Sequence, residues 1–224
     1  QTHRGKIGDT PVPMAGIPHH AAINYVDKLT AAGKTVAICE QIQDPKKAVG
    51  IVKRAVTQIV SPGVPFDIGH ADQGQNFFLC SFYSCDSQSD HYSIAFIDFA
   101  SGKFFGFDNI SKQEVISLLL KYSIKELVTY PGQLARLPEI DEAIQGQNTL
   151  IKIISEDSFL PEESNYHLEK FIPNYKNDRF LKNKKIMQAA LSGVCNYLGS
   201  AQRNISLDHL EEFKIISTDD HLQV

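Results

Sequence analysis

Residues 76–84, NFFLCSFYS, place Phe77 and Leu79 on one side of an extended chain and Phe78, Cys80 and Phe82 on the other. Successive side chains of a strand point to opposite faces, so a strand that is apolar on both must lie inside a sheet. The next residues supply its neighbours. Tyr92–Asp98 and Lys103–Asp108 read as two more strands, joined by a short turn at Ala100-Ser101-Gly102. Ser111-Lys-Gln-Glu114 is a capping box, which opens a helix through Lys121 with Val115, Leu118 and Leu119 turned inward. Lys125–Tyr130 is a strand stopped by Pro131-Gly132, and Leu150–Ile154 is another.

Three antiparallel strands followed by alternating helix and strand is the order of a ribonuclease-H-like mixed sheet, an α/β fold. The flanking segments differ in texture. Before it, PVPMAGIPHHA (11–21) carries three prolines, which deny amide donors and push preceding residues to extended geometry. The reading there is a stiff loop with no helix or regular strand before His19. Ala21–Ala32 then reads as a helix, with Ala22, Val26 and Leu29 on one face and Gly33 as its C-terminal cap. Lys34–Gln41 and Arg54–Val60 read as strands, the second closed by Ser61-Pro62-Gly63. Residues 64–75 form the best linker candidate. From 183 onward, Ile186–Leu198 is an amphipathic helix and Phe213–Ile216 a strand-like run, taken together as the start of a third domain. The organisation expected is thus 1–63, a partial small α/β domain; 64–75, a linker; 76–182, the mixed-sheet domain; and 183–224, the opening of a helical domain. The opening QTHRGK and the closing HLQV read as the ends of a fragment.

Charge separates the same parts. Residues 1–63 hold eight Lys and Arg against four Asp and Glu, a net of +4, whereas 64–224 carry −8. A nucleic-acid partner would touch the first segment and avoid the rest. No apolar run is long enough to span a bilayer and no signal peptide is legible, so no membrane role is expected. The four cysteines (Cys39, Cys80, Cys85, Cys195) are scattered without metal-ligand spacing, which reads as buried free thiols in a reducing cytoplasm.

Several chemistries fail on inspection. Gly33-Lys34-Thr35 resembles the end of a phosphate-binding loop, but Lys28 stands where the earlier glycine is required and a helix precedes it. His19-His20 lacks partner ligands, so His20 is assigned to the start of the following helix. A metal-dependent nuclease on the mixed sheet is the alternative function. It needs converging carboxylates, yet NFFLCSFYS has none, Asp98 ends the second strand, and Glu114 is engaged as a cap. No catalytic residue and no metal site is assigned.

PMAGIPHHA, KLTAAG, VAICEQIQDP, KRAVTQIVSPG and IDFASGKF closely resemble the MutS family of mismatch-repair proteins, and the likeness extends more loosely over the whole chain. The resemblance implies that 1–63 is the rear part of a mismatch-recognition domain, 76–182 the connector, and 183 onward the beginning of the core domain. It implies a partner, duplex DNA bearing mispaired or unpaired bases, with relay to an ATPase domain and to MutL. The parent protein would be a cytoplasmic homodimer, and its ATP and Mg²⁺ would belong to an ATPase domain outside this chain, leaving none here. In the family the loop matching Pro13–Pro18 faces the DNA minor groove. Pro13 would keep it stiff, Met14 would offer an apolar contact, and Ala15 and Gly16 would let backbone approach the duplex. Arg54 matches a family arginine at the head of a strand and is assigned a phosphate contact, with Lys53 beside it. Tyr166 and His167 correspond to the segment that receives MutL and are expected to stand free beside inward-facing Leu168 and Phe171.

Overall fold

The computed structural model describes residues 2–7, 9–48, 50–66, 76–85, 90–161, 165–201 and 207–218, with 2–7, 12–14 and 165 described by backbone alone. The chain opens with β1 (Thr2–Ile7) and β2 (Thr10–Met14), an antiparallel pair in which Thr2 faces Met14 and Ile7 faces Thr10. This corrects the stiff-loop reading of residues 11–14. Pro11 and Pro13 cannot donate to a ladder, but both edges of a two-stranded ribbon are free, and edges are where proline is tolerated. The chain from Ala15 to Pro18 is irregular, as expected.

A 3₁₀ turn (His19–Ala21) leads into α1 (Ala22–Ala31). No side chain caps α1, so the helix-starting role assigned to His20 is not seen. Gly33 does close the helix: at φ +73° its N–H bonds Thr30 O at 2.8 Å and the next N–H reaches Leu29 O at 2.9 Å. Of the apolar face, Val26 is buried while Leu29 and Tyr25 stay about half exposed. β3 (Val36–Gln41) and β4 (Arg54–Val60) form a second antiparallel ribbon, Gln41 opposite Arg54 and Val36 opposite Val60.

The larger unit is a six-stranded mixed sheet. Its strands are β5 (Leu79–Tyr83), β6 (Tyr92–Asp98), β7 (Lys103–Ile110), β8 (Glu126–Thr129), β9 (Leu150–Ile153) and β10 (Lys214–Ile215). Their spatial order is β10-β7-β6-β5-β8-β9, with β5, β6 and β7 antiparallel and β8 and β9 parallel to β5. β5 is interior, as its two apolar faces require. On one face lie α2 (Lys112–Tyr122) and α3 (Pro138–Gln145), covering Phe78, Cys80, Phe82, Ile94 and Phe96 with Val115, Leu118, Leu119, Ile140 and Ile144. The capping box of α2 forms as read: Ser111 N–H donates to Glu114 Oε2 at 2.8 Å, and Glu114 N–H to Ser111 Oγ at 3.3 Å.

On the other face, α4 (Asn165–Phe171) and α5 (Lys185–Ala201) cover Leu79, Ala95, Ile97 and Val128. This corrects the third-domain assignment. Met187, Ala190, Leu191, Val194, Cys195 and Leu198 of α5 are wholly buried in that core, and Ser81 Oγ of β5 donates to Ala190 O. β10 extends the same sheet, pairing Lys214 with Phe105 and Ile215 with Gly106 of β7. The helix and strand after 183 are the second cover and sixth strand of the mixed-sheet unit. An apolar sheet face needs a cover, and α5 is the most apolar helix available.

The linker reading also changes at its near end. Val64 is fully buried in the sheet core, and Ser61 and Val64 exchange backbone hydrogen bonds at 3.0 Å. Residues 67–75 of that candidate linker lie outside the described residues. All four cysteines are free thiols, but only Cys80 and Cys195 are buried; Cys39 and Cys85 are exposed, on an outer ribbon and past the end of β5.

Candidate nucleic-acid interface and its anchor

The ladder between β3 and β4 decides where the cations of the first segment gather. Arg54 opens β4 opposite Gln41, the last residue of β3, so the connection from 42 to 53 returns to the same end. That connection is held by Ile42 N–H to Lys53 O at 3.0 Å and Lys53 N–H to Gln43 Oε1 at 3.3 Å. Within it Asp44 Oδ1 accepts from Lys46 N–H at 2.9 Å and caps a 3₁₀ turn over Pro45–Lys47. Lys46, Lys47, Lys53 and Arg54 therefore crowd one end of the ribbon, and all four are exposed. Among the described residues none of them forms an ion pair. Exposed unpaired cations on a stiff ribbon suit a polyanion, and Arg54 adds a planar fork for phosphate oxygens.

Of the loop residues, Ala15 and Gly16 are exposed, and nothing lies within 4 Å of where a Gly16 side chain would begin. Backbone there is open to close approach. The side chains of Pro13 and Met14 lie outside the described residues.

Tyr166 and His167 part company. Tyr166 is 74% exposed, at the start of α4. His167, expected to stand free, is half-buried: its ring packs where any side chain at Gly199 of α5 would collide with it, and its buried Nδ1 has no hydrogen-bond partner. Burial holds its pKa below the ordinary histidine value, with Lys170 adding to the effect. Leu168 is buried as expected and Phe171 partly so.

The carboxylates relevant to a nuclease are dispersed over structural tasks. Asp98 receives Ala100 N–H at 3.1 Å and Ser101 Oγ at 2.8 Å in the β6–β7 turn. Asp108 takes Ser93 Oγ at 2.6 Å and pairs with Lys184. Among the described residues no group of three or more His, Cys, Asp or Glu is arranged to hold a metal ion. A small cleft past the ends of β5 and β8 is lined by Tyr83, Cys85, Tyr130, Gln133, Arg136 and Glu156, with Arg136 over the Tyr130 ring at 5.6 Å.

Sequence reasoning missed Glu126. It lies at zero exposure on β8, where Ser61 Oγ donates to its Oε2 at 2.5 Å, Gly63 N–H to the same oxygen at 3.2 Å, and Tyr197 OH to Oε1 at 2.6 Å. Burial pushes its pKa above the ordinary carboxylate range, and these three donors and Lys152 partly offset the rise. Tyr197 is raised too, by burial and by the neighbouring Glu126. The available signal was a lone acid heading the apolar run LVTY.

Two family profiles match the chain: MutS domain I over residues 1–68 and MutS domain II over residues 76–211. The chain is 34% identical over its whole length to the DNA mismatch repair protein MutS of Lactococcus lactis subsp. cremoris (strain MG1363), spanning 24% of that relative. Against the same-named protein of L. lactis subsp. lactis (strain IL1403) it is 48% identical over 103 residues, 46% of this chain and 12% of the relative. With that of Streptococcus thermophilus (strain ATCC BAA-491 / LMD-9) it shares 29% identity across 100% of the chain and 24% of the relative. At best, then, the chain spans about a quarter of the length of these relatives.

Proposed function

Because the chain belongs to the MutS family of DNA mismatch repair proteins, we propose that it supplies the backbone-contacting part of a mismatch-recognition domain and the connector that carries it. The carrying observation is the cluster of Lys46, Lys47, Lys53 and Arg54 at one end of the β3–β4 ribbon, exposed and without ion pairs among the described residues. Ala15 and Gly16, open on the loop after β2, add a backbone surface for the groove edge, with Pro13 and Met14 continuing it. These contacts read shape and charge, not base identity. The substrate is duplex DNA with mispaired or unpaired bases, as the relatives' name implies.

The chain itself performs no catalysis on this reading. ATP and Mg²⁺ belong to the longer assembly, a cytoplasmic homodimer that hands its signal to MutL. Tyr166 is the exposed anchor for MutL on α4; His167 supports it from behind through its packing on α5. Exposed aromatics are frequent anchors at interfaces.

The experiment is a salt titration of duplex binding. Arg54→Ala should weaken binding to matched and mismatched duplexes alike and reduce the salt slope by about one. An unchanged slope removes Arg54 from the phosphate contacts. Chain-wide absence of salt-dependent binding overturns the DNA-binding reading.

A further inference from the structure

Glu126 is a fully buried carboxylate that the DNA-binding reading does not use. A buried charge is tolerated only when partners replace its water, and here the partners come from two separate parts of the chain. Ser61 and Gly63 come from the turn that ends β4, Tyr197 comes from α5, and Glu126 itself heads β8, between β5 and the edge strand β9. The fit is close: a Cβ on Gly63 would lie 3.0 Å from both Cβ and Oε2 of Glu126 and 3.3 Å from Leu79 Cβ. Val60 and Val64, on either side of the turn, have no exposure. Lys152 Nζ of β9 closes the cluster, 5.6 Å from the centre of the Tyr197 ring.

Val60, the last residue of β4, is already buried, and the turn that follows it carries the hydrogen bonds to the sheet and, through Glu126, to α5. At about 3.3 Å per residue, the seven residues of β4 put its cationic head roughly 20 Å from that anchor. A strand fixed at one end and charged at the other acts as an arm, and the orientation of Arg54 depends on how the far end is held.

We propose that Glu126 is a positioning residue for duplex binding: by gathering Ser61, Gly63 and Tyr197 it fixes the arm β4 to both the sheet and α5, so that DNA held at Arg54 and the placement of α5 are coupled through one carboxylate. This rests on the DNA-binding reading above. It assigns no DNA contact to Glu126, and its signature is a change in geometry and affinity without a change in the number of phosphates neutralised.

The test joins a distance measurement to the binding titration. Spin labels are placed at native Cys39 on β3 and at Gln113→Cys on α2, in a chain carrying Cys85→Ser. Both label positions are exposed, and the remaining cysteines are buried. The unaltered junction should give one narrow distance distribution. Glu126→Gln should retain it, because the amide oxygen can accept from Ser61 and Gly63 while its NH₂ donates to a turned Tyr197 hydroxyl. Glu126→Ala and Gly63→Ala should broaden the distribution and weaken duplex binding about fivefold or more, with the salt slope unchanged. If Glu126→Ala does not fold, Gly63→Ala and Ser61→Ala carry the test, since each leaves both members of the Glu126–Tyr197 hydrogen bond in place. A narrow distribution and unaltered affinity in the folded junction variants overturn the proposal. A chain that binds no duplex, yet whose distances broaden as stated, overturns the DNA-binding reading and with it the role in duplex binding, while supporting Glu126 as the residue that fixes β4 to the sheet and α5.

Discussion

Glu126 shows how far one residue's environment can depart from its sequence context. Its neighbours Leu127 and Val128 are core residues, and by composition it is one acid among many, yet it is wholly enclosed. Desolvation is the largest influence on its carboxyl and raises its pKa; the donors from Ser61, Tyr197 and Gly63 act in the opposite direction. A folded-state pKa above the unfolded value means that the native state binds its proton more tightly. The stability this contributes is complete below the ordinary carboxylate value and is lost as pH rises through the folded pKa. The unfolding free energy of the wild type relative to Glu126→Gln should therefore fall with rising pH across that window. Denaturant midpoints at a series of pH values read it directly. A difference that stays flat would mean that the hydrogen bonds cancel the effect of burial, and one that grows would mean that they outweigh it and hold the pKa below the ordinary carboxylate value.

At the scale of elements, the packing of α4 on α5 turns on a contact of the opposite sign. The His167 ring fills the space left by Gly199, and burial disfavours its charged form. Here the folded pKa lies below the unfolded one, so the stabilising contribution is present above the ordinary histidine value and is lost as pH falls through the folded pKa. The hydrogen-exchange protection of α4, taken relative to the intrinsic amide exchange rate at each pH, should fall on acidification through that range, and His167→Phe should remove this loss by keeping an uncharged ring against Gly199. Protection that stays constant with pH in the wild type would show that the ring escapes to water without cost. The elements themselves were largely legible. β4, β6 and the capped start of α2 coincide with the runs that predict them, because alternation, capping chemistry and terminating glycines are local signals. β2 was not legible, since two prolines argue against a strand unless its partner, β1, is known to leave it an open edge. Nor was the placement of His167: the inward face of α4 at Leu168 and Phe171 was read correctly, but His167 was expected to stand free, and a glycine more than thirty residues away decided that its ring turns inward. Of the candidate interface, the basic residues were visible as a charge excess, while their convergence at one ribbon end required the register of β3 on β4.

For the whole molecule, the sequence boundary drawn at 183 and the physical boundary differ, and the difference has a measurable consequence. Composition changes there, from mixed α/β texture to a long apolar helix, and a change of texture is the ordinary mark of a new domain. Here it marks the cover of a sheet face. Met187, Leu191, Val194 and Leu198 pack at zero exposure on the face formed by Leu79, Ala95, Ile97 and Val128. At about 1.5–3 kcal/mol for each large apolar side chain buried, those four alone contribute roughly 6–12 kcal/mol, the size of a whole domain's stability of about 5–15 kcal/mol. Removal of α5 would also strip Tyr197 from Glu126 and leave the buried carboxylate short of a donor. A chain ending at residue 183 should thus lack a cooperative unfolding transition and bind a hydrophobic dye, whereas one continuing through residue 218 should unfold cooperatively. If the shorter chain instead melts cooperatively with a dispersed NMR spectrum, the sheet can close its own face without α5, and the helix is an appendage to the mixed-sheet unit instead of its cover.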